Sequence, residues 1–573
     1  MPIEWAAAGA VLLSLIAFAM IRLACGDVAW HLATARLAFT SGHWPTTNAF
    51  SHTFADYPLY QQYPLFQSLL FVVHQIAGWT GLSALLCVGW LGVFLLYVRW
   101  AGPWRHAAVM CLPWMIGMMA LQRRMILRPD MFSMVWLACL LIAIDAYLRR
   151  GRRWILLLPA IQLCWVNSHQ LFPLGFAVQF ALIAHLCISR WAPGPVDRRD
   201  RTVPIWPVLL AVAASIGATF CSPIGARILE VFEQTGGSVG HHRHHIRELA
   251  YIWNRPVECG LAITCALPAI IALWQNRRRF YTFDAAIWCM SLILVLIAMR
   301  GLVFFSMLSI AVFARTRRRF PTPTGPPKQR LAFLRPAMAC VTLALACNVM
   351  FHRWVRPPRV LGGTQPGLGR SLGDWPDAAI AFLASSPPPG EMMNMPWSLA
   401  NGVLWQLPHR KPFVDSRFEA YPRGFLVDCI ESYRDASVLN ALLDEYRPTW
   451  IFADHRVAGV LERAVQLYRA GGWALVYADS QSIILVRECQ LTAKYLSARR
   501  IEAADLKPHD LLQDPRDLRA RQRIHFARLL TALGVNAAAR SQLTLAEQDA
   551  RGHPALLTLI AERRREVDEE STS

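Results

Sequence analysis

Asp27 and His31 stand four residues apart in Gly26-Asp27-Val28-Ala29-Trp30-His31, a spacing that puts both side chains on one face of a helix. A carboxylate and an imidazole so placed can take the proton of a hydroxyl, the carboxylate as base and the imidazole orienting it or sharing the proton. Trp30 between them is the residue type favoured at the depth of lipid headgroups. The plainer alternative is that Asp27 caps a helix running to about Phe39, a common use of Asp. A second set of residues is cationic: Arg123, Arg124 and Arg128, the last followed by Pro129 and Asp130. Guanidinium groups match phosphate oxygens through their planar fork, so these side chains suit a lipid phosphate, whereas an ordinary headgroup-facing loop is the rival reading. Arg300 lies between two apolar runs. A cation drawn below a membrane surface costs about 2.5–3.5 kcal/mol at the bilayer centre and marks a substrate path or a buried pair unless it snorkels outward.

Weaker signals accompany these. Asn167-Ser168-His169-Gln170 is a polar knot that suits an acceptor site or a hydrogen-bonded helix turn. His241, His242, His244 and His245 are candidate ligands for a divalent metal ion, the one cofactor the sequence admits. The 14 cysteines include no CxxC pair with metal spacing. Cys429 with Cys489, and Cys221 with Cys259, are pairs for which a disulfide and two free thiols are both open. No phosphate-binding Gly-rich loop, GxSxG or HExxH motif is present, which argues against an ATP or nucleotide-sugar enzyme.

The elements that must position these residues are set by composition. The chain has 573 residues, 55% of them hydrophobic and 17% charged, against about 25% charged in a typical soluble protein. The apolar residues form about eleven blocks: 4–25, 80–98, 107–121, 131–148, 154–168, 172–189, 205–220, 259–274, 283–299, 302–314 and 336–351. The first has the length that crosses a hydrocarbon core, and without a basic segment before it a cleaved signal peptide is disfavoured. Arginine clusters follow the fourth, sixth, eighth and tenth blocks, and short cytoplasmic loops are the ones enriched in Arg. All four therefore fall on one side. Counting from them puts the N-terminus in the cytoplasm and loops 26–79, 122–130 and 221–258 outside, with the C-terminal part. The net charge of +20 sits mostly in the topogenic, arginine-rich loops, so a nucleic-acid partner is not expected.

Residues 352–390 read as a Pro/Gly-rich linker, 391–488 as a small α/β domain and 489–573 as a charged helical tail. Strands are expected at Pro412–Val414, Thr449–Ala453, Trp473–Tyr477 and Ile483–Val486, with a turn at Asp479–Ser482 and helices at Leu439–Tyr446 and Val457–Ala470.

Together these residues resemble a family. Asp27-x-x-Trp30-His31-Leu32, Gly42-x-x-Pro45-Thr46-Thr47-Asn48-x-Phe50-Ser51, Arg128-Pro129, Trp165-x-Asn167-x-His169, Ser222-Pro223-x-Gly225, and Asp415-x-Arg417 followed by Tyr421 are similar to bacterial polytopic membrane proteins related to the GT-C class of glycosyltransferases. The likeness covers most of residues 20–450. It departs where Ser222 stands for an expected Asn, Gln170 for Gly, and Gln61-Gln62 for an acidic residue. It implies a GT-C-like transmembrane domain over 1–351 in the bacterial inner membrane and an extracytoplasmic α/β domain. It implies transfer of a hexose or pentose from a polyprenyl-phosphate carrier to an extracytoplasmic acceptor. In that reading Asp27 and His31 are catalytic, Arg123, Arg124, Arg128 and Arg300 bind the lipid phosphate, and Trp30, Asp130, Asn167, His169, Asp415, Arg417 and Tyr421 serve the acceptor or the structure. Two other classes compete: a non-catalytic membrane scaffold, and a transporter, which would carry an internal repeat of spans that the sequence lacks.

Overall fold

The computed structural model describes residues 2–102, 107–191, 200–227, 230–231, 247–277, 281–320, 329–352, 365–508 and 515–572. It divides into two compact units: residues 1–22, 60–358 and 366–369 form one, and 23–59, 359–365 and 370–573 the other. This division departs from one drawn on composition, because residues 23–59 group with the C-terminal part.

The first unit is helical. Each of the eleven apolar blocks falls on a helix. Five of these are long and apolar enough to cross a membrane: Pro64–Ala101, Pro129–Arg150, Pro173–Trp191, Pro256–Gln275 and Met299–Arg319, among the described residues. Shorter apolar helices are Ile3–Ala19, Met110–Leu121, Trp206–Thr219, Thr282–Ile297 and Leu334–Met350, and block 154–168 contains Leu157–Val166. Two boundaries differ from expectation. The first helix stops at Ala19, not at residue 25. The block at 80–98 is only the second half of a helix that starts at Pro64, with Pro at its first position and a break at Gly78, φ 58°. Gln67, His74 and Gln75 make that first half too polar to be read as apolar.

Arg315 also departs from its expected place. It belongs to an arginine cluster that signals a cytoplasmic loop, yet the helix Leu302–Arg319 extends past it and its side chain is buried. Its guanidinium donates to both Asp284 oxygens at 3.1 and 3.2 Å, to Asp145 at 3.0 Å and to the Trp100 carbonyl at 2.9 Å. Burying a charge is tolerated when it is paired and hydrogen-bonded in this way, and the group holds three helices and the end of a fourth together.

The second unit is built on a four-stranded sheet: β1 (Met392–Met395), β2 (Trp450–Asp454), β3 (Trp473–Ala478) and β4 (Ser482–Arg487), in the order β1-β2-β4-β3. β1 is parallel to β2 and the other pairs are antiparallel. The turn at Asp479–Ser482 is an Asx turn, the Asp479 carboxylate accepting from the Gln481 and Ser482 amides at 2.7 and 2.6 Å. Pro412–Val414 is not a strand. A side chain satisfies its backbone instead: Asn394 Oδ1 accepts from the Phe413 and Val414 amides at 3.0 and 3.3 Å, and Asn394 Nδ2 donates to the Val414 carbonyl at 2.9 Å. The true edge strand, β1, reads Met-Met-Asn-Met and lacks the β-branched residues by which strands are recognised.

The segment expected as a linker carries a helix, Asp377–Ser385, and the tail forms Arg516–Ala532, Asn536–Asp549 and Pro554–Thr572. Glycines with positive φ, Gly534 and Gly552, turn the chain between the tail helices. One hydrophobic core runs from the sheet through Leu461 and Val465 to Ile524, Leu530 and Leu543, so the tail is an integral part of this unit. Cys429, Cys489, Cys221 and Cys259 are all free thiols.

Candidate active site

Asp27 opens the helix Asp27–Ser41. Gly26, not Asp27, is its cap, with no side-chain capping bond, so the capping explanation of Asp27 fails. As the first helical residue its carboxylate still gains from the positive end of the helix dipole, by about 0.3–1 kcal/mol. Asp27 is half-buried and His31 is buried, the imidazole lying 3.6 Å from the Trp30 ring. Further along, Arg36 fixes this helix to the helix Ala400–Gln406: it donates to the Trp405 and Leu404 carbonyls at 2.9 Å each and sits over the Trp405 ring.

Asp415, Arg417 and Tyr421 converge in the same unit, and they bond chiefly to one another. Arg417 grips Asp415 with two parallel bonds, Nε to Oδ1 at 2.9 Å and a terminal nitrogen to Oδ2 at 2.6 Å. The Tyr421 hydroxyl donates to Asp415 Oδ2 at 2.9 Å and accepts from the Asp415 amide at 3.0 Å. Arg417 also reaches Asn48 Oδ1 at 2.5 Å and lies over the Phe50 ring. Ser51 and Thr53 donate to the Phe413 carbonyl at 3.1 and 2.8 Å. Thus the Asn48-x-Phe50-Ser51 motif and the Asp415-x-Arg417 motif form one buried knot.

The knot presents an acid that sequence reasoning missed. Glu419 follows Arg417 by two residues, and burial pushes its carboxyl above the ordinary value, with Asp415 and Asp27 adding like charge. The alternation Asp415-x-Arg417-x-Glu419-x-Tyr421 was the signal that would have found it.

The cationic residues gather in the helical unit. Arg124 bonds Asp130 at 2.5 Å and Glu248 at 2.5 Å, and Arg128 donates to both Glu248 oxygens at 2.9 Å. Burial alone would raise the Glu248 carboxyl, but Arg124 and Arg128 outweigh it and hold it below its ordinary value. Glu248 carries no motif, and only its position between the spans brings it here. Arg300 makes no hydrogen bond or ion pair with another described residue. Three guanidiniums against two carboxylates leave one positive charge, and the geometry leaves it on Arg300. The side chain of Arg123 lies outside the described residues.

His169 belongs to this cluster. Burial, then Arg300 and Arg124, push its imidazole down to about 3, against the pull of Asp130. It is therefore neutral, with Nδ1 2.7 Å from Ser133 Oγ. Trp165 Nε1, a donor only, also bonds Ser133 Oγ, at 2.8 Å, which leaves the serine proton for His169. Asn167 has a different use: its amide donates to the Leu163 and Cys221 carbonyls at 2.9 and 3.0 Å, a hydrogen-bonded helix end. His241, His242, His244 and His245 lie outside the described residues, and no group of three or more His, Cys, Asp or Glu ligands is gathered among the described residues.

No protein-family model matches the sequence, and no curated protein matches it. Solved structures do. The oligosaccharyltransferase of Archaeoglobus fulgidus tethered with an acceptor peptide aligns with a TM-score of 0.51 and 12% identity over 85% of this chain and 74% of that one. The same organism's AglB, in complex with an inhibitory peptide and a dolichol-phosphate, gives a TM-score of 0.50 and 11% identity over 84% and 74%. ArnT from Cupriavidus metallidurans bound to undecaprenyl phosphate gives 0.47 and 12% over 85% and 98%. The fold of this chain resembles that of the GT-C class.

Proposed function

We propose that a chain with this fold is a membrane glycosyltransferase, moving a hexose or pentose from a polyprenyl-phosphate carrier to an extracytoplasmic acceptor of the cell envelope. The observation that carries the reading is the uncompensated charge on Arg300 beside the paired Arg124 and Arg128. In a fold like that of an enzyme seen with a dolichol-phosphate, an arginine that lacks a protein carboxylate suits the phosphate of a lipid carrier.

The roles then follow from chemistry. The acceptor hydroxyl gives its proton to the Asp27 carboxylate as its oxygen bonds the anomeric carbon. The bond from that carbon to the phosphate oxygen breaks, and the electron pair leaves on the lipid phosphate. Glu419 is a second acid in the unit that carries Asp27. His169, neutral and held by Ser133, orients rather than charges the phosphate site. Asp415, Arg417 and Tyr421 position the segment that carries Asp27 and Glu419.

Arg300→Gln is expected to weaken binding of undecaprenyl phosphate by about tenfold or more, the worth of one charge-assisted contact. Arg150→Gln, at an exposed helix end, is expected to leave it unchanged. Equal effects in a lipid-binding titration would reduce the cluster to a generic headgroup contact.

In the same reading about eleven spans cross the bacterial inner membrane with the N-terminus in the cytoplasm. An alkaline-phosphatase reporter fused after Pro389 should then be active and one fused at Arg150 silent. The reverse pattern would invert the sidedness of every residue named above. A non-catalytic scaffold is the second reading, favoured by the glutamines at 61 and 62 where an acid is expected.

A further inference from the structure

Two histidines that the transferase reading does not use stand where the sheet of the second unit joins the tail. His455 follows the last residue of β2 and is 0% exposed. Its backbone amide donates to the Gln481 carbonyl at 3.0 Å, and its Nε2 lies 2.9 Å from the Asp479 carbonyl, so the residue is tied to the turn between β3 and β4. A carbonyl only accepts, which puts the ring proton on Nε2 and leaves Nδ1 as a bare lone pair. That Nδ1 is buried with no hydrogen-bond partner among the described residues. A second proton, on Nδ1, would be a buried charge with no acceptor to receive it.

His525 lies on the tail helix Arg516–Ala532, half-buried between Ile524 and Phe526, which share one core with Val460 and Leu461. Burial, then the neighbouring His455, Arg456 and Arg528, push its imidazole down to about 3, against the pull of Asp454. For His455 burial outweighs the Asp479 carbonyl and the Asp454 and Asp479 carboxylates, with Arg456 adding to the burial, and the ring again falls below the ordinary value. The carboxylates that face the pair are already engaged. Asp454 is gripped by Arg456 at 3.0 and 2.8 Å, and Asp479 accepts from the Tyr477 hydroxyl at 2.7 Å and from the Gln481 and Ser482 amides at 2.7 and 2.6 Å. Arg528 spends its charge on Glu462 at 2.9 Å, across to the helix Val460–Ala470.

We propose that His455 and His525 form a pH-sensitive latch: the tail helix Arg516–Ala532 stays docked on the α/β domain while both rings are neutral, and it is released when they take up protons. The latch does not depend on the transferase reading. Above about pH 6.5 the docked and released rings are both neutral, and docking is at full strength. As the pH falls further, the released rings bind protons that the docked ones refuse, and the loss is complete near pH 3. With 6.5 for the free imidazole and about 3 for the docked one, His525 by itself favours release roughly thirtyfold at about pH 5.

Hydrogen–deuterium exchange of the full chain in lipid nanodiscs, corrected for the pH dependence of the intrinsic rate, reads this release. From about pH 7.5 to about pH 5 the amides of Arg516–Ala532 are expected to lose protection roughly thirtyfold or more, while those of β2 and β4 keep theirs. In the His455→Gln, His525→Gln double variant the loss is expected to shrink to roughly threefold or less, because Gln keeps an amide donor for the Asp479 carbonyl and does not titrate. His525→Gln alone, at a half-buried position, decides the matter if the double variant fails to fold, and it is expected to remove most of the loss. The other histidines of the unit are common to parent and variants, so the difference between them belongs to this pair. The proposal is overturned if the parent tail keeps its protection at about pH 5, if either variant loses as much as the parent, or if the strands open together with the tail.

Discussion

Asp27→Asn is expected to leave the protein folded and to lower turnover by roughly 100-fold or more, because an amide cannot take the proton of the attacking hydroxyl. The structure sharpens this expectation. Asp27 is not the helix cap, so its replacement costs no capping bond. The loss of the charge at the first turn costs about 0.3–1 kcal/mol, too little by itself to unfold the unit. Activity and thermal stability should therefore separate: melting within a few degrees of the parent, transfer from a radiolabelled polyprenyl-phosphate sugar nearly abolished. A variant that folds and fully complements a null strain would remove the catalytic role of Asp27 and leave the scaffold reading in possession.

The opposite separation is expected at Arg417. Arg417→Ala strips the buried Asp415 of two charge-assisted bonds and leaves a carboxylate with 0% exposure held by the Tyr421 hydroxyl and the backbone amide of residue 417, with no cation beside it. Breaking a buried pair by removing one partner costs about 3–5 kcal/mol, much of the stability of an average domain. Thermal melting should fall steeply and activity should fall with it. Arg417→Lys retains the charge but not the fork, and it cannot reach Asp415 and Asn48 together, so it should recover only part of the loss. The Asp415→Asn, Arg417→Leu pair removes both charges and should be more stable than Arg417→Ala. If Arg417→Ala melts like the parent while losing activity, Arg417 touches the acceptor and does not merely position.

Several features were legible in the sequence because they depend on local pattern. Apolar blocks long enough to form helices, the Asx turn at Asp479 and the strands at residues 450–487 each announce themselves within a short window. The motifs around Asn48 and Asp415 were also legible as motifs, but not as one knot, since 369 residues separate Asn48 from Arg417. Glu248, Glu419 and the Arg315 network were not legible. Each owes its importance to which charge lies opposite it, and opposition is a product of the fold. Arg128 shows the same from the other side. Its type and place suited a free phosphate ligand, and only the structure reveals that Glu248 already occupies it, leaving Arg300 as the uncompensated cation.

The grouping of residues 23–59 with a unit completed after residue 370 bears on how the protein is made. Asn48, Phe50 and Ser51 leave the ribosome early, yet Phe413, Asp415 and Arg417 follow them at separations of 362 to 369 residues, roughly 20–70 s at ordinary rates of synthesis. During that interval the early segment has polar side chains and an aromatic ring with no partner to bury them. Until then the early segment cannot complete its buried bonds. A fragment beginning at residue 370 would lack this segment altogether, and co-expressing it with a peptide spanning residues 23–59 is the way to recover a folded C-terminal unit.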